Sequence, residues 1–297
     1  MGVHSRLVKS NDPVAKKRFG QHFLRDTGVV GRIIRWIQPA SCDLFLDLGA
    51  GDGALSVHLA PLVGRLIAIE MDQDRIPRLE AALAPFESAT AVHADILQLD
   101  LIDLVHRYLE PGQRLRVAGN LPYNIGTAII EKLLHTDLPF EKMFFMLQLE
   151  VAQRIMAQPG SKDYGFLSVY CQHRSDAQMG FKVSPACFVP RPRVWSAMVS
   201  INPKAYPQDS GLESDFESLL KAAFAYRRKT LENSLRRNPQ LCGFLHDLLA
   251  QACIDGSRRA EAISVREYEY LAAILHEFKG NVRRLGGKPS DAYGSKD

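Results

Sequence analysis

Two short stretches carry residues whose types and spacing suit chemistry. The first is Asn120-Leu121-Pro122-Tyr123, an amide, a fixed turn and an aromatic ring set between the apolar run "RLRVAG" and the helix-like run "TAIIEKLL". Such a corner suits a flat ligand with an amine edge: carbonyls accept from the amine and the ring stacks on the plane. The second is "LDLGAGDGAL", which places Gly49, Gly51 and Gly53 between an apolar run and a helical one, with Asp47 just before. Glycines there let the backbone turn tightly and approach a ligand, and the following helix start offers free N–H groups.

The glycine turn reads as a nucleotide site but leaves the cofactor open. Gly49, Gly51 and Ala54 also satisfy a dinucleotide fingerprint, and Glu70 lies 21 residues after Gly49, where a ribose-binding acid belongs in that fold too. Gly53 and Asp47 tilt the balance from NAD to S-adenosylmethionine. Glu70, acceptor-only when ionised, suits a ribose diol. Asp95, in "HADIL", either accepts from the adenine amine of the cofactor or caps a helix. Met71 and Ile96 either flank that adenine or fill the core. At the tetrapeptide the matching reaction is methylation of the exocyclic amine of an adenine. That nitrogen's lone pair is delocalised into the ring, so acceptors on its N–H groups, the Asn120 side-chain and Leu121 main-chain carbonyls, would bias it toward tetrahedral geometry. Pro122 fixes the turn and Tyr123 stacks on the base. A paired base would have to be flipped out or come from a loop.

Positioning these residues needs strands that end on one rim. "DLFLDL", "RLIAIE", "ATAVHADIL" and "RLRVAGNL" read as strands alternating with helical segments, as do "DTGVVGRIIRWI" (26–37), "DRIPRLEAALAPF" and "AIIEKLLH" as helices. "KMFFMLQLE" reads as a buried strand running into the helix "VAQRIMA"; "YGFLSVYCQHR" and "WSAMVSINP" read as late strands, the second closing the sheet. The alternation implies an α/β, mostly parallel, doubly wound sheet. Composition shifts at "NPKAYPQDSG" (202–211), and the patterns beyond it are helical only. The expected organisation is a flexible basic arm over 1–20, a Rossmann-like domain over 21–205, a smaller all-α domain over 206–278 and a disordered tail over 279–297.

The chain has 297 residues, 46% hydrophobic and 24% charged, and a net charge of +4. Its apolar runs fall short of the ~18 residues of a membrane span, and the N-terminus lacks the apolar core of a secretory signal. Five widely spaced cysteines without a C-x-x-C pair argue against a zinc site or disulfides and for a reducing cytoplasm. The charge is uneven. Arg6, Lys9, Lys16, Lys17 and Arg18 crowd the first twenty residues, and Lys221, Arg227, Arg228, Lys229, Arg236 and Arg237 crowd a second stretch. Such clusters suit a polyanion or are solvated charge.

From about residue 16 to 275 the chain resembles the bacterial rRNA adenine N6-dimethyltransferases of the kasugamycin-resistance type. The motifs are "KKRFGQHFLRD", "LDLGAGDGALS", "IEMD", "HADIL", "GNLPYNI", "QLEVAQRI", "CFVPRPRVWSAMV", "AFAYRRKTLENSL" and "RRAEAIS". The resemblance implies an S-adenosylmethionine-dependent enzyme that puts two methyl groups on each of two adjacent adenosines. These lie in the hairpin loop near the 3′ end of 16S rRNA, in the immature 30S subunit, during ribosome biogenesis. It implies that the segment with His22 and Leu24, with Gln21 nearby, closes over the methionine part of the cofactor, and that Gly49, Glu70, Asp95 and Asn120 hold the rest; Gly51, Met71 and Ile96 are cofactor candidates from the turn and strand ends alone. Phe188 would face Tyr123 across the target base, and Arg227, Arg228, Lys229 and Arg236 would hold RNA phosphates. His22 stands where the family more often has Asn, and Trp195 where it has an acid. A cytoplasmic monomer is expected, without a metal. The competing readings are a 23S rRNA methyltransferase of the erythromycin-resistance type, an assembly factor that lost catalysis, and an NAD-dependent enzyme. "FVPRPRVWSAM" and "RRAEAIS" favour the small-subunit enzyme over the first, intact motifs count against the second, and no His, Lys or Tyr constellation supports the third.

Overall fold

The computed structural model describes residues 21–205 and 209–284; the expected arm 1–20, residues 206–208 and residues 285–297 of the expected tail lie outside the described residues. In chain order the elements begin with β1 (Phe23–Leu24), α1 (Thr27–Ile37), β2 (Asp43–Leu48), α2 (Ser56–Leu59), β3 (Arg65–Glu70), α3 (Ile76–Leu83) and β4 (Ala89–His93). Then come α4 (Leu101–Tyr108), β5 (Arg114–Asn120), α5 (Gly126–His135), β6 (Phe140–Gln148), α6 (Leu149–Ile155), α7 (Phe166–Arg174) and β7 (Ser175–Val183). The last are β8 (Phe188–Val189), β9 (Ser196–Pro203), α8 (Ser210–Phe224), α9 (Leu231–Leu235), α10 (Leu245–Gln251) and α11 (Val265–Arg284).

The main sheet runs β4-β3-β2-β5-β6-β9-β7, and β1 pairs with β8 in a separate antiparallel ribbon. Strand β2 is buried along its whole length, as expected for a parallel strand covered on both faces. It pairs in parallel with β3 and β5, and β3 with β4. Register sets the rim. Leu48 stands opposite both Ile69 and Gly119, and Glu70 opposite His93. The residues just beyond, Gly49, Glu70, Asn120 and the turn at Asp95, therefore leave the sheet at about one level, at the carboxyl ends where open α/β sheets bind ligands. Gly119 is required there, since a Cβ would come within 2.5 Å of the Leu48 carbonyl.

At the opposite end of these strands Asp43 is fully buried and takes Arg114 at 2.6 Å and Arg116 at 3.0 Å. Arg116 also donates to the Ile37 and Gln38 carbonyls, satisfying acceptors at the end of α1 that the helix leaves open. Asp26 starts that helix by accepting from the Val29 N–H at 3.0 Å.

Four expectations differ. "YGFLSVYCQHR" supplies the helix α7 instead of a strand. Six of its nine residues, Leu167 to Cys171 and Arg174, are buried, so no polar face marks its period. The strand missed is the next one, β7, whose burial alternates along its length. It takes the sheet edge, while the wholly buried start of β9 lies between β6 and β7 and does not close the sheet. The helical pattern beyond residue 211 is broken around "AYRRKT": α8 ends at Phe224 and Thr230 caps α9. Finally, α11 continues through residues 279–284, assigned to the tail.

The chain also resolves into two compact units that do not follow a boundary at 205/206. One takes residues up to 129 with 144–147 and 182–196; the other takes 130–143, 148–181 and those from 197 on. In the second unit polar bonds tie α7 to α8 and α11: Arg174 meets Glu213 at 2.6 Å, and His173 meets Glu213 at 3.1 Å and Glu269 at 2.8 Å. The two carboxylates raise the His173 pKa against the opposing effect of burial. No helix among the described residues is long and apolar enough to cross a membrane.

Candidate active site

The rim of the first unit encloses a cavity. Its lining includes Gln21, His22, Phe23, Gly49, Glu70, Met71, Asp95, Ile96, Asn120, Leu121, Pro122 and Tyr123, with Ile69, Ala94, Ile125 and Ile129 completing the walls. The two stretches picked out in the sequence thus share one pocket.

The glycine turn is held by the acid that follows it. Gly51 N–H donates to Glu70 Oε2 at 2.8 Å and Asp72 N–H to Oε1 at 2.8 Å. Each carboxylate oxygen keeps further acceptor capacity for a diol. Burial raises the Glu70 pKa, opposed by these backbone bonds. Gly49 and Gly51 have φ of +70° and +59°, conformations that L side chains rarely adopt. A Cβ on Gly49 would also stand 3.5 Å from the Asn120 main-chain carbonyl, filling space between the two stretches. Gly51 does not line the cavity; its role is this turn and its N–H. Asp95 both lines the cavity and caps the turn after it, accepting from Leu97 N–H at 2.9 Å and from Gln98 Nε2 at 3.1 Å.

Asn120 is oriented by a bond no motif announced. Its Nδ2 donates to the His22 carbonyl at 2.7 Å. A carbonyl only accepts, so this fixes the amide's nitrogen and leaves its oxygen as the outward acceptor. Leu121, 1% exposed, sends its N–H to Met146 O at 3.3 Å; among the described residues no donor reaches its carbonyl. Tyr123 is anchored by its hydroxyl, 2.6 Å from Ser196 Oγ, and burial raises its pKa.

The segment before α1 covers the turn. The His22 ring lies tilted beside Tyr123, centroids 5.1 Å apart and planes at 34°, while its Nδ1 donates to Pro190 O at 2.7 Å. Phe23 lies over the Arg75 guanidinium at 4.2 Å, and Arg75, 2% exposed, binds Asp52 of the glycine turn at 2.9 Å. Gln21 Nε2 donates to Asp72 at 3.0 Å. Sequence reasoning missed Phe23, Arg75, Asp52 and Ser196; "IEMDQDR" and "WSAMV" carry no local sign of such pairing.

Two expected residues lie elsewhere. Leu24 is 5% exposed and Phe188 2%; they are register partners in the β1–β8 ribbon and neither lines the cavity. Successive strand residues face opposite sides, so Phe23 takes the cavity side that was assigned to Leu24. The ring beside Tyr123 is that of His22, not Phe188. Trp195 is exposed. In the second unit Arg227, Arg228, Lys229 and Arg236 are all exposed. Arg236 pairs with Glu232, whereas Arg227, Arg228 and Lys229 have no ion pair among the described residues. No group of three or more potential metal ligands occurs among the described residues.

A family model described as ribosomal RNA adenine dimethylase matches residues 14–275. The chain is 40% identical to the ribosomal RNA small subunit methyltransferase A of Geobacter sulfurreducens, covering 88% of this chain and 95% of that one. It is 37% identical to the protein of that name from Ligilactobacillus salivarius, over 88% and 90%. In fold it is similar to a dimethyladenosine transferase from Plasmodium falciparum, with a TM-score of 0.72 and 22% identity over 87% of this chain and 98% of that one. It is also similar to the 23S rRNA methyltransferase ErmE, with a TM-score of 0.61 and 24% identity over 85% and 99%.

Proposed function

The chain belongs to the ribosomal RNA adenine dimethylase family, and from that premise we propose that it dimethylates N6 of two adjacent adenosines in the 3′-terminal hairpin loop of 16S rRNA. The substrate is the immature small subunit in the cytoplasm, and the chain acts as a monomer. The observation that carries the chemistry is the Asn120 amide, whose nitrogen is committed to the His22 carbonyl so that its oxygen is the acceptor.

The donor set fits S-adenosylmethionine. Glu70 would take the ribose hydroxyls, Asp95 the adenine amine, and Met71 and Ile96 the faces of that adenine, while Gly49 leaves the turn open. Gln21 and His22 would cover the methionine part. Leu24 and Gly51 contribute by holding β1 and the turn in place. When bound, the cofactor supplies a methyl group already activated on a sulfonium.

The chain's own residues do the rest. Tyr123, held by Ser196, would stack on the extruded adenine, with the His22 ring beside it. The Asn120 and Leu121 carbonyls would accept hydrogen bonds from the two N6 N–H groups and support the positive charge that develops as the C–N bond forms. One N6 proton then leaves to water. After the first transfer a single N–H remains, so one acceptor suffices for the second. For Phe188 to complete a clamp, the β1–β8 ribbon would have to uncover it. Arg227, Arg228, Lys229 and Arg236 would hold RNA phosphates, giving salt-sensitive binding.

The test is methyl transfer from labelled S-adenosylmethionine to small subunits that lack the modification, with the RNA digested and its nucleosides identified. Dimethyladenosine from the 3′-terminal hairpin is expected. Label in 23S rRNA alone, or subunit binding without transfer, would overturn the assignment.

A further inference from the structure

The second unit holds a cavity of about 580 Å³ that the methyl-transfer reading does not use. Its polar lining is Lys221, Tyr226, Ser234, Arg237, Asn238 and Gln240. Four features make it more than a gap between helices. The Arg237 guanidinium lies over the Tyr226 ring, 4.9 Å from its centroid, forming a flat cationic platform. Tyr226 is 43% exposed, so its ring is open to a ligand. Ser234 is 1% exposed, yet its hydroxyl has no hydrogen-bond partner. A buried hydroxyl left unmatched costs stability unless something else completes it. Asn238 Oδ1 is taken by the Gln240 N–H at 2.9 Å, which leaves the side-chain NH2 as donor.

The surroundings state the ligand's charge. Arg227, Arg228 and Lys229 follow Tyr226 directly in the chain and have no ion pairs among the described residues. The acids nearby are already matched: Glu217 is held by the buried Arg174 at 3.2 Å, with the exposed Lys221 at 3.5 Å, and Glu232 pairs with Arg236. An aromatic–guanidinium platform, a hydroxyl and an amide for a base edge, and free cations for phosphates are the elements with which proteins grip an unpaired nucleotide.

We propose that this cavity binds a single extruded nucleotide of RNA, distinct from the adenosines that are methylated. Its base stacks on Tyr226 and Arg237. Its edge meets Ser234 and Asn238, and its phosphates meet Lys221 and the Arg227–Lys229 run. The site rests on the reading of this chain as an RNA-modifying enzyme and deepens it, because it gives the second unit a nucleotide contact beyond phosphate attraction.

The experiment compares the full chain with Tyr226→Leu and Asn238→Ala, using two probes: a short unpaired RNA oligonucleotide and small subunits lacking the modification. Tyr226→Leu keeps an apolar side chain and removes the π face; an unchanged thermal midpoint certifies its fold. Loss of one stacked base should weaken both probes about tenfold with an unchanged salt slope, and Asn238→Ala should weaken them less. Chemical probing of the bound subunit should show one nucleotide outside the methylated hairpin that the wild type protects and Tyr226→Leu exposes. Equal affinities and identical footprints for wild type and Tyr226→Leu would overturn the site while leaving the enzymatic reading intact, as would binding of duplex but not of the unpaired oligonucleotide. Oligonucleotide binding that depends on Tyr226, without any binding of subunits, would uphold the site and overturn the assigned substrate.

Discussion

Replacing Asn120 by Ala separates the two things this side chain does. The amide nitrogen makes one neutral hydrogen bond, to the His22 carbonyl at 2.7 Å. Its loss costs about 1 kcal/mol, and because Asn120 and His22 are only half-buried, water can reach the His22 carbonyl. The thermal midpoint should therefore fall by a few degrees at most. The oxygen, on the proposed mechanism, faces charge that forms only during transfer. Removing one such preorganised partner costs ~3–4 kcal/mol, or 10²–10³ in rate. The assay is single-turnover methyl transfer with saturating cofactor and subunits, so that binding losses do not enter. Asn120→Asp is the companion: it keeps an oxygen but sets a carboxylate against the His22 carbonyl, so it too should be slow, and less stable than Ala. An Asn120→Ala protein that transfers methyl within about threefold of the wild-type rate would refute the acceptor role.

Three further outcomes are expected. Ser196→Ala removes the hydroxyl that positions Tyr123; methyl transfer should fall about three- to tenfold, Tyr123→Phe should match it, and the double variant should be no worse than either. Asp47 is buried and its pKa is pushed up to about 7, first by burial and then by the Glu70 charge, against the Ser56 hydroxyl. A folded pKa above the unfolded one gives stability that is complete below about pH 4 and is lost as pH rises through 7. The loss between pH 5 and 8 should be on the order of 2–3 kcal/mol, and chemical denaturation of Asp47→Asn should show it gone. Reversing charge at Arg227 and Arg228 should weaken subunit binding and flatten its salt dependence by roughly one unit per phosphate contact, leaving cofactor affinity, measured by calorimetry, unchanged.

The rim was legible because its signals are local. A glycine turn after an apolar run, an acid at the next strand end and an amide at a third are each readable in a few residues, and parallel register brings Gly49, Glu70 and Asn120 together without further information. What stayed hidden depends on long-range pairing. The Arg75–Asp52 bond, the Ser196–Tyr123 bond and the His22 carbonyl that orients Asn120 join residues 23, 73 and 98 positions apart. Leu24 is a cofactor residue only by the resemblance, and a two-residue strand has too little pattern to show which residue faces in. The sequence of helix α7 reads as a strand because, buried nearly all round, it shows no period.

The perturbed acids are where a search for a catalytic base would begin, since a carboxylate titrating near neutrality is matched to proton transfer. Asp47 meets that criterion and fails the geometric one. It is 1% exposed, does not line the cavity, and its Oδ2 is held by Ser56 at 2.5 Å. Glu70 reaches the cavity, but each of its oxygens already accepts from a turn N–H, that of Gly51 or Asp72, and the acceptor capacity left over is what a ribose diol would use. Neither can follow a proton off the base. On the proposed mechanism the groups that would face the amine are neutral carbonyls, which suits a nitrogen that needs its geometry biased more than its proton removed: the charge to be stabilised appears only as the methyl arrives. On that mechanism the acids would build the cofactor's seat, and the rate would be set by how firmly the Asn120 amide is held.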